Sequence, residues 1–242
     1  MRLNHASWPK NVFILIPSYK ASGSLSDVLS RLTETVPPDA VCIVDDASMD
    51  GTDSICARFD VSYVAHATNK GKGAALTTGF KHLLNTHNPS WIITMDADGQ
   101  HAIEDLDAFL SWATSSKQGG ICIGTRLKTL AKMPAARIVS NALTSLILSL
   151  LTGRRIPDSQ CGFRMYSADL LRRITCEYPR FEMESEIILK AAFLKFPISS
   201  IPVQTLYLNG QSHIEHVRDT LRWVRSVLVV WWKLRMQPTH KV

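Results

Sequence analysis

The sequence predicts an α/β fold, a mostly parallel sheet with helices on both faces, plus an amphipathic C-terminal helix. Three observations predict it. Short apolar runs alternate with helix-spaced segments from residue 12 to residue 124. Polar residues suited to chemistry follow directly on the ends of those runs. The late chain then changes character and becomes rich in Trp and Arg. Alternating strands and helices imply βαβ units and a parallel sheet, and such sheets take their ligands at the carboxyl ends of the strands.

Residues 12–17 are a short apolar run stopped by Pro17, a buried strand. Residues 25–36 have helical spacing and end at Pro37-Pro38. Residues 40–44 read as a strand running into Asp45-Asp46, residues 51–59 as a short helix, and 61–65 as a third strand. A helix over 71–84 leads to a fourth strand over 91–95, which ends at Asp96. A helix over 103–114 and a strand over 120–124 complete the alternating part. Residues 142–151 are almost wholly apolar and are flanked by Arg137, Arg154 and Arg155. Such a segment is too short to span a bilayer; it is a core helix or one lying in a membrane interface. Loop and strand follow over 159–167, then an amphipathic helix over 182–196 in which Glu186 and Lys190 are spaced to pair. A strand over 198–208 and a helix over 220–236 close the chain. The expected organisation is one domain over residues 1–212 and a basic, Trp-rich helical extension over 213–242.

The 242 residues, 45% hydrophobic, suffice for a full core, and ordinary Gly, Pro and charge content excludes fibrous and disordered classes. A net charge of +6 suggests an anionic partner (nucleic acid, a phosphorylated ligand or a membrane surface) or simply a solvated basic surface. Five cysteines form no Cys-x-x-Cys pair, and Cys42 and Cys122 lie inside apolar runs. That argues against a zinc site or disulfide framework and for a reducing compartment. Residues 1–10 hold no apolar core of a secretory signal, and no apolar run reaches the ~18 residues of a membrane span.

Asp96 and Asp98 follow the fourth apolar run. In extended chain, residues two apart point to one side, so their carboxylates make a hard oxygen site for Mg²⁺ or Mn²⁺. Gln100 offers a further carbonyl oxygen. A cation there would hold the diphosphate of a nucleotide and stabilise its charge on departure. A solvated acidic turn is the plain alternative, and Asp96-Ala97-Asp98 alone does not choose. Rivals attend the other candidates. Asp45-Asp46 can be a capping arrangement, although Ser48 or Asp50 is better placed to cap. Gly71-Lys72-Gly73 matches neither a dinucleotide fingerprint nor a P-loop, but it opens a helix whose N-terminus attracts anions. Arg126 and Arg164 are phosphate ligands, which suits a planar guanidinium, or surface cations. Tyr19 packs or lines the site, and Glu182, Glu184 and Glu186 read as a solvated first helical turn.

The surroundings of the tripeptide resemble a known family. Asp96-Ala97-Asp98-Gly99-Gln100-His101, directly after an apolar strand, resembles the metal motif of family 2 glycosyltransferases, in particular the dolichyl- or polyprenyl-phosphate sugar synthases. Ile16-Pro17-Ser18-Tyr19 resembles their opening Pro-x-Tyr. Val44-Asp45-Asp46-Ala47-Ser48 with Asp50-Gly51-Thr52 resembles the acidic pair that holds base and ribose. Asn69-Lys70-Gly71-Lys72-Gly73 resembles the glycine-rich turn under the nucleotide, and Gly124-Thr125-Arg126 the Gly-Ser-Arg step. Asp158-Ser159-Gln160-Cys161-Gly162-Phe163-Arg164 resembles the acceptor-side motif. The resemblance covers roughly residues 12–220.

This resemblance implies a GT-A fold and inverting transfer of a hexose from a nucleoside-diphosphate sugar to a polyprenyl-phosphate lipid, with Mg²⁺ or Mn²⁺ as cofactor. It assigns Asp96, Asp98 and Gln100 to the metal, and Pro17, Tyr19, Asp45 and Asp46 to the nucleoside. Lys72, Arg126 and His213 would meet phosphate, and Asp158 and Arg164 would serve the acceptor side. The catalytic set is then Asp98, Arg126, Asp158 and Arg164. A lipid phosphate, with a second pKa of about 6, needs positioning more than deprotonation. The rival enzyme reading, transfer to a lipid or glycan hydroxyl, needs a carboxylate base such as Asp158. The non-enzyme rival is a receiver-like Mg²⁺-binding signalling module, which would need a lysine where Gly124-Thr125-Arg126 has arginine. The chain lacks the Gln/Arg-x-x-Arg-Trp signature of processive synthases, so a single transfer is expected. It departs from the family at Tyr19-Lys20-Ala21, which has no acid, and at Tyr207 and His213, where Arg and Lys are usual. Trp223, Trp231 and Trp232 beside Arg222, Arg225, Lys233 and Arg235 favour a bilayer interface. With residues 142–151 they predict a peripheral enzyme on the inner face of the cytoplasmic membrane, with no nucleic-acid partner; burial in a core or dimer interface is the alternative.

Overall fold

The computed structural model describes residues 3–126, 135–206 and 216–236, the side chains of 135 and 216–221 excepted. Strands β1 (Val12–Ser18), β2 (Val41–Asp45), β3 (Ser62–Ala65) and β4 (Trp91–Thr94) are mutually parallel, with β1 between β2 and β4. Strand β5 (Ile121–Thr125), β6 (Arg164–Ser167) and β7 (Ile198–Pro202) extend the sheet to the order β3-β2-β1-β4-β6-β5-β7. Helices α1 (Ser22–Leu32), α2 (Thr52–Phe59), α3 (Lys72–Thr86) and α4 (Leu106–Ser115) join the successive strands of the first half. The central strands read as unbroken apolar runs because both sheet faces are covered; Ile14, Leu15, Ile16, Ile43 and Val44 are fully buried. Helix α1 buries Leu25, Val28, Leu29 and Leu32, the stripe expected of one helix face. Gly79 lets α3 lie directly on β1, because a Cβ there would collide with the side chain of Leu15.

The chain lays β2 and β3 on one side of β1 and then crosses to β4 on the other. That reversal opens a crevice at the carboxyl ends of β1 and β4, where ligands bind in open α/β sheets.

Several expectations change. The helix expected over 25–36 starts at Ser22 and ends at Leu32; the next residues continue as turns, with Val36 N–H donating to the Leu32 carbonyl at 2.8 Å and Val36 buried. Strand β6 runs antiparallel to both β4 and β5, an orientation set by where the chain returns rather than by local pattern. A helix absent from the sequence reading, α6 (Ala168–Arg173), follows it, with the Ser167 hydroxyl accepting from Leu170 N–H. The strand expected over 198–208 stops at Pro202, which has no N–H to extend a ladder, and residues 207–208 lie outside the described part. Helix α5 (Ala135–Thr152) extends beyond the apolar stretch 142–151.

Helix α7 (Glu182–Phe193) packs against α3, α5 and α8 (His216–Met236). Its crowding overturns the reading of Glu182, Glu184 and Glu186 as a solvated turn: all three are buried. Each has a cationic neighbour, as buried charge requires. Glu182 meets Arg222 at 2.5 Å, Glu184 meets Lys72 at 3.4 Å, and Glu186 pairs with Lys190 at 3.0 Å. Helix α8 buries Trp223, Val227, Val230 and Leu234, and the Trp223 indole donates to Ser185 Oγ at 2.8 Å. The residues that would join it to the rest of the chain, including the boundary expected near 212, are outside the described part.

Candidate active site

The carboxyl ends of β1, β2 and β4 border a cleft of about 410 Å³. Pro17 and Tyr19 line it from the end of β1, Asp46 from the end of β2, and Asp96 and Asp98 from the end of β4. Lys72 reaches it from the first turn of α3, and Arg180 and Phe181 from the segment before α7. Six predicted site residues from four separate segments thus share one cleft. Asp45 lies just behind it, with one carboxylate oxygen accepting from Ser48 N–H at 3.1 Å and the other from the Tyr63 hydroxyl at 3.1 Å.

Asp96 stands at the centre of a charge web. Lys72 Nζ is 2.7 Å from its Oδ1, and His101 Nε2 is 3.2 Å from its Oδ2. Burial opposes its ionisation, but Lys72 and His101 hold the carboxyl well below the usual carboxylate range. For Lys72, burial again opposes the charge, and Asp96 followed by Glu184 outweighs it and raises the pKa. Asp98 is exposed and accepts from Gln100 N–H at 3.0 Å. The protein mass around Asp98, and then the Asp96 charge, push its pKa up. Gln100, expected at the metal, is not among the residues lining the cleft, and its main-chain carbonyl accepts from Leu206 N–H at 2.9 Å.

Asp46 organises the glycine-rich turn. Its carboxylate accepts from Lys70 N–H at 2.8 Å, from Gly71 N–H at 2.6 Å and bonds His66 Nδ1 at 2.6 Å. The turn is pressed against the segment before α7. A Cβ on Gly71 would come 2.7 Å from the Pro179 carbonyl, and one on Gly73 would meet the Arg180 carbonyl. The N–H of Ala74, at the start of α3, already donates to the Pro179 carbonyl at 2.8 Å. The helix N-terminus thus holds protein backbone as well as facing the cleft. Asp50 ties the starts of two helices together, accepting from Thr52 N–H at 3.2 Å and from Ser22 N–H at 3.0 Å, while the N-cap position of α2 is Gly51.

Arg126, Asp158 and Arg164 stand apart from the cleft lining. Arg126 grips Asp158 in a buried fork, Nε to Oδ2 and Nη2 to Oδ1, each at 2.8 Å. Asn141 of α5 adds a bond to Asp158 Oδ1 at 2.9 Å. Burial opposes the Asp158 charge, yet Arg126 draws the carboxyl below its ordinary value. Arg164 is fully buried, and its guanidinium donates to the carbonyls of Cys161, Ser159 and Glu184 at 2.7, 2.7 and 3.1 Å. It is an internal brace here, not a surface cation. Gly162 supports Asp96 directly, since a Cβ would come 2.5 Å from Oδ2, and Thr94 Oγ1 donates to its carbonyl at 2.8 Å. Phe163 packs on His101 with ring centroids 4.9 Å apart. The segment around Gly162 therefore underlies the acidic tripeptide. His213 lies outside the described residues.

Sequence reasoning missed Glu184, Arg180 and Phe181. The signal for Glu184 was available: acids at 182, 184 and 186 on an otherwise apolar helix cannot all face one way. Nothing local marks Arg180 or Phe181, whose positions follow from the contact of their loop with the glycine-rich turn.

The donor set fits a hard divalent cation. Two carboxylates two residues apart open on the cleft, and no cluster of three or more His, Cys, Asp or Glu converges among the described residues. Two protein carboxylates, completed by water and substrate phosphate, is the usual arrangement for Mg²⁺.

A mostly parallel sheet with an acidic pair and a lysine at its switch point fits a GT-A glycosyltransferase. The glycosyl transferase family 2 model matches residues 13–175, and the chain belongs to that family. It is 32% identical over 203 residues to the undecaprenyl-phosphate mannosyltransferase of Micrococcus luteus, covering 79% of this chain and 82% of that one. It is 29% identical over 220 residues to the UDP-N-acetylglucosamine–dolichyl-phosphate N-acetylglucosaminyltransferase of Methanococcus voltae, covering 82% and 86%. The fold is similar to the crystal structure of glucosyl-3-phosphoglycerate synthase from Mycobacterium tuberculosis with Mn²⁺, UDP and phosphoglyceric acid. That likeness has a TM-score of 0.69 at 14% identity over 94% of this chain and 79% of that chain.

Proposed function

We propose that this glycosyltransferase moves a hexose, with inversion, from a nucleoside-diphosphate sugar to a polyprenyl-phosphate-type lipid at the inner face of the cytoplasmic membrane. The observation that carries the reading is one cleft in which Asp96, Asp98 and Lys72 meet Pro17, Tyr19 and Asp46. The names of the mannosyl- and N-acetylglucosaminyltransferase relatives support the lipid-phosphate acceptor. Asp96 and Asp98, which open on the cleft, would hold Mg²⁺ or Mn²⁺, with Gln100 just beyond its lining as a further oxygen donor. When bound, the cation supplies positive charge against the departing diphosphate.

The chain's own residues do the rest. Pro17 and Tyr19 wall the nucleoside, while Asp45 and Asp46 shape its floor; Asp46 does so by clamping the turn that carries Lys72. Lys72, and His213 from the later segment, meet phosphate. Arg126, Asp158 and Arg164 act by bracing the acceptor-side loop. A phosphate acceptor suits this arrangement because it arrives ionised. Both Asp158 oxygens accept hydrogen bonds and its pKa is lowered, so it is a poor base for a hydroxyl acceptor.

The test is an assay of labelled UDP- and GDP-sugars with Mn²⁺, with and without polyprenyl phosphate. A lipid-linked product that requires the acceptor is expected, with anomeric configuration opposite to the donor's by NMR. No lipid-linked product from any donor overturns the acceptor, and a retained configuration overturns the inversion.

A further inference from the structure

Both carboxylate oxygens of Asp96 are engaged by the protein. Lys72 Nζ stands 2.7 Å from Oδ1, and His101 Nε2 stands 3.2 Å from Oδ2. A divalent cation on either oxygen would set positive charge against positive charge at close range, where repulsion is strong. One partner has to give way. His101 is buried, and its ring packs on Phe163 with centroids 4.9 Å apart. Lys72 is held less firmly. Its ammonium ends a flexible four-carbon stem, the side chain is 19% exposed, and the Phe181 ring centroid is 6.0 Å away, at the limit of cation–π attraction.

Glu184 is placed to receive that ammonium. Its Oε2 lies 3.4 Å from Lys72 Nζ, longer than a good hydrogen bond. Its Oε1 is buried and accepts no hydrogen bond from the described residues. Arg164 Nε comes within 3.9 Å of Oε1 but donates to the Cys161 carbonyl instead. A buried carboxylate oxygen without a donor is unfavourable, and an ammonium carries three donors. Only the Lys72 side chain has to move to close the pair. The backbones on either side are already joined, since Ala74 N–H at the start of α3 donates to the Pro179 carbonyl before α7 at 2.8 Å.

We propose that Glu184 is a positioning residue that takes Lys72 over from Asp96 when the divalent cation binds. The exchange frees Asp96 Oδ1 for the metal and keeps the ammonium in the cleft wall, beside the expected diphosphate. This rests on the metal reading of Asp96 and Asp98. It adds that metal affinity depends, through Lys72, on an acid that does not itself line the cleft.

The test is EPR titration of the full chain with Mn²⁺, without nucleotide or acceptor, arranged as a double-mutant cycle. Glu184→Gln should weaken Mn²⁺ binding at least ~10-fold, the scale for an outer partner of a metal ligand. Lys72→Met should bind Mn²⁺ at least as tightly as wild type, because the competitor for Asp96 is gone. Lys72→Met/Glu184→Gln should then match Lys72→Met within about 2-fold. An equal loss from Glu184→Gln in both backgrounds overturns the proposal, because the acid would then act by its charge alone. A second measurement keeps the wild-type chain. With isotope-labelled lysine, the Lys72 side-chain NMR signal, assigned by its loss in Lys72→Arg, should shift as Mg²⁺ is added. A signal that Mg²⁺ leaves in place overturns the exchange. A wild type that binds no Mn²⁺ overturns the metal reading together with it, whereas normal wild-type binding with equal losses in the cycle overturns the exchange alone.

Discussion

Lys72 Nζ lies 2.7 Å from Asp96 Oδ1, at the centre of the cleft. The same ammonium is 3.4 Å from Glu184 Oε2, so one lysine joins the strand-end acid to a buried acid of α7. Lys72→Met would leave both carboxylates without their shared cation and remove the positive group nearest the expected diphosphate. Turnover should fall about 10²-fold or more, the scale for losing one fixed electrostatic stabiliser. Lys72→Arg should not rescue it, because a planar fork does not replace a point charge. Steady-state rates above a tenth of wild type for Lys72→Met would refute the assignment.

Asp98→Asn keeps shape and removes charge at the exposed member of the acidic pair. Loss of transfer is expected, together with Mn²⁺ affinity weakened by more than about 10-fold in EPR titration without substrate. Unchanged Mn²⁺ binding would remove Asp98 from the metal site even if activity were lost.

Gly162→Ala tests the support under Asp96. The added methyl would press within 2.5 Å of Asp96 Oδ2 and 2.7 Å of Oδ1. Overpacking of this kind costs about 1–3 kcal/mol, which urea unfolding would register. Activity should fall further than stability, since displacement of Asp96 reaches the web of Lys72 and His101. A variant with normal urea midpoint and normal rate would contradict this placement.

The Arg126–Asp158 fork predicts an acid response. The folded-state pKa of Asp158 is lowered, so its ionised form stabilises the fold above its unfolded pKa of about 3.9. That contribution is lost as pH falls through the lower folded value. Arg126→Met should cost about 3–5 kcal/mol near neutral pH, because it strands a buried charge. The double variant Arg126→Met/Asp158→Asn should recover part of that and show a shallower loss of stability below about pH 4. Equal acid slopes for wild type and double variant would exclude the fork as the source.

Much of the site was legible because motif residues sit at strand ends. Asp46, Asp96 and Lys72 were each readable from a local apolar run or glycine turn, and the sheet brings them together. Arg164 was misplaced for an equally local reason. Sequence shows a cation after a glycine, not that the chain folds its guanidinium onto three carbonyls at 0% exposure. The antiparallel β6 escaped notice because a strand's periodicity carries no direction.

By itself, then, the sequence determined the alternation of strands and helices, the parallel half-sheet and the acids at its edge, since period and strand-end chemistry are local properties. It also carried the family and the apolar character of α5 and α8. Only the tertiary structure decided which charges meet: that Lys72 bridges Asp96 and Glu184, that Arg126 is taken by Asp158, and that α5 turns Thr144 and Ser145 inward and Leu143, Leu146 and Leu150 out. Such pairings join residues far apart in the chain, and desolvation makes a buried charge take whichever partner the packing brings within reach.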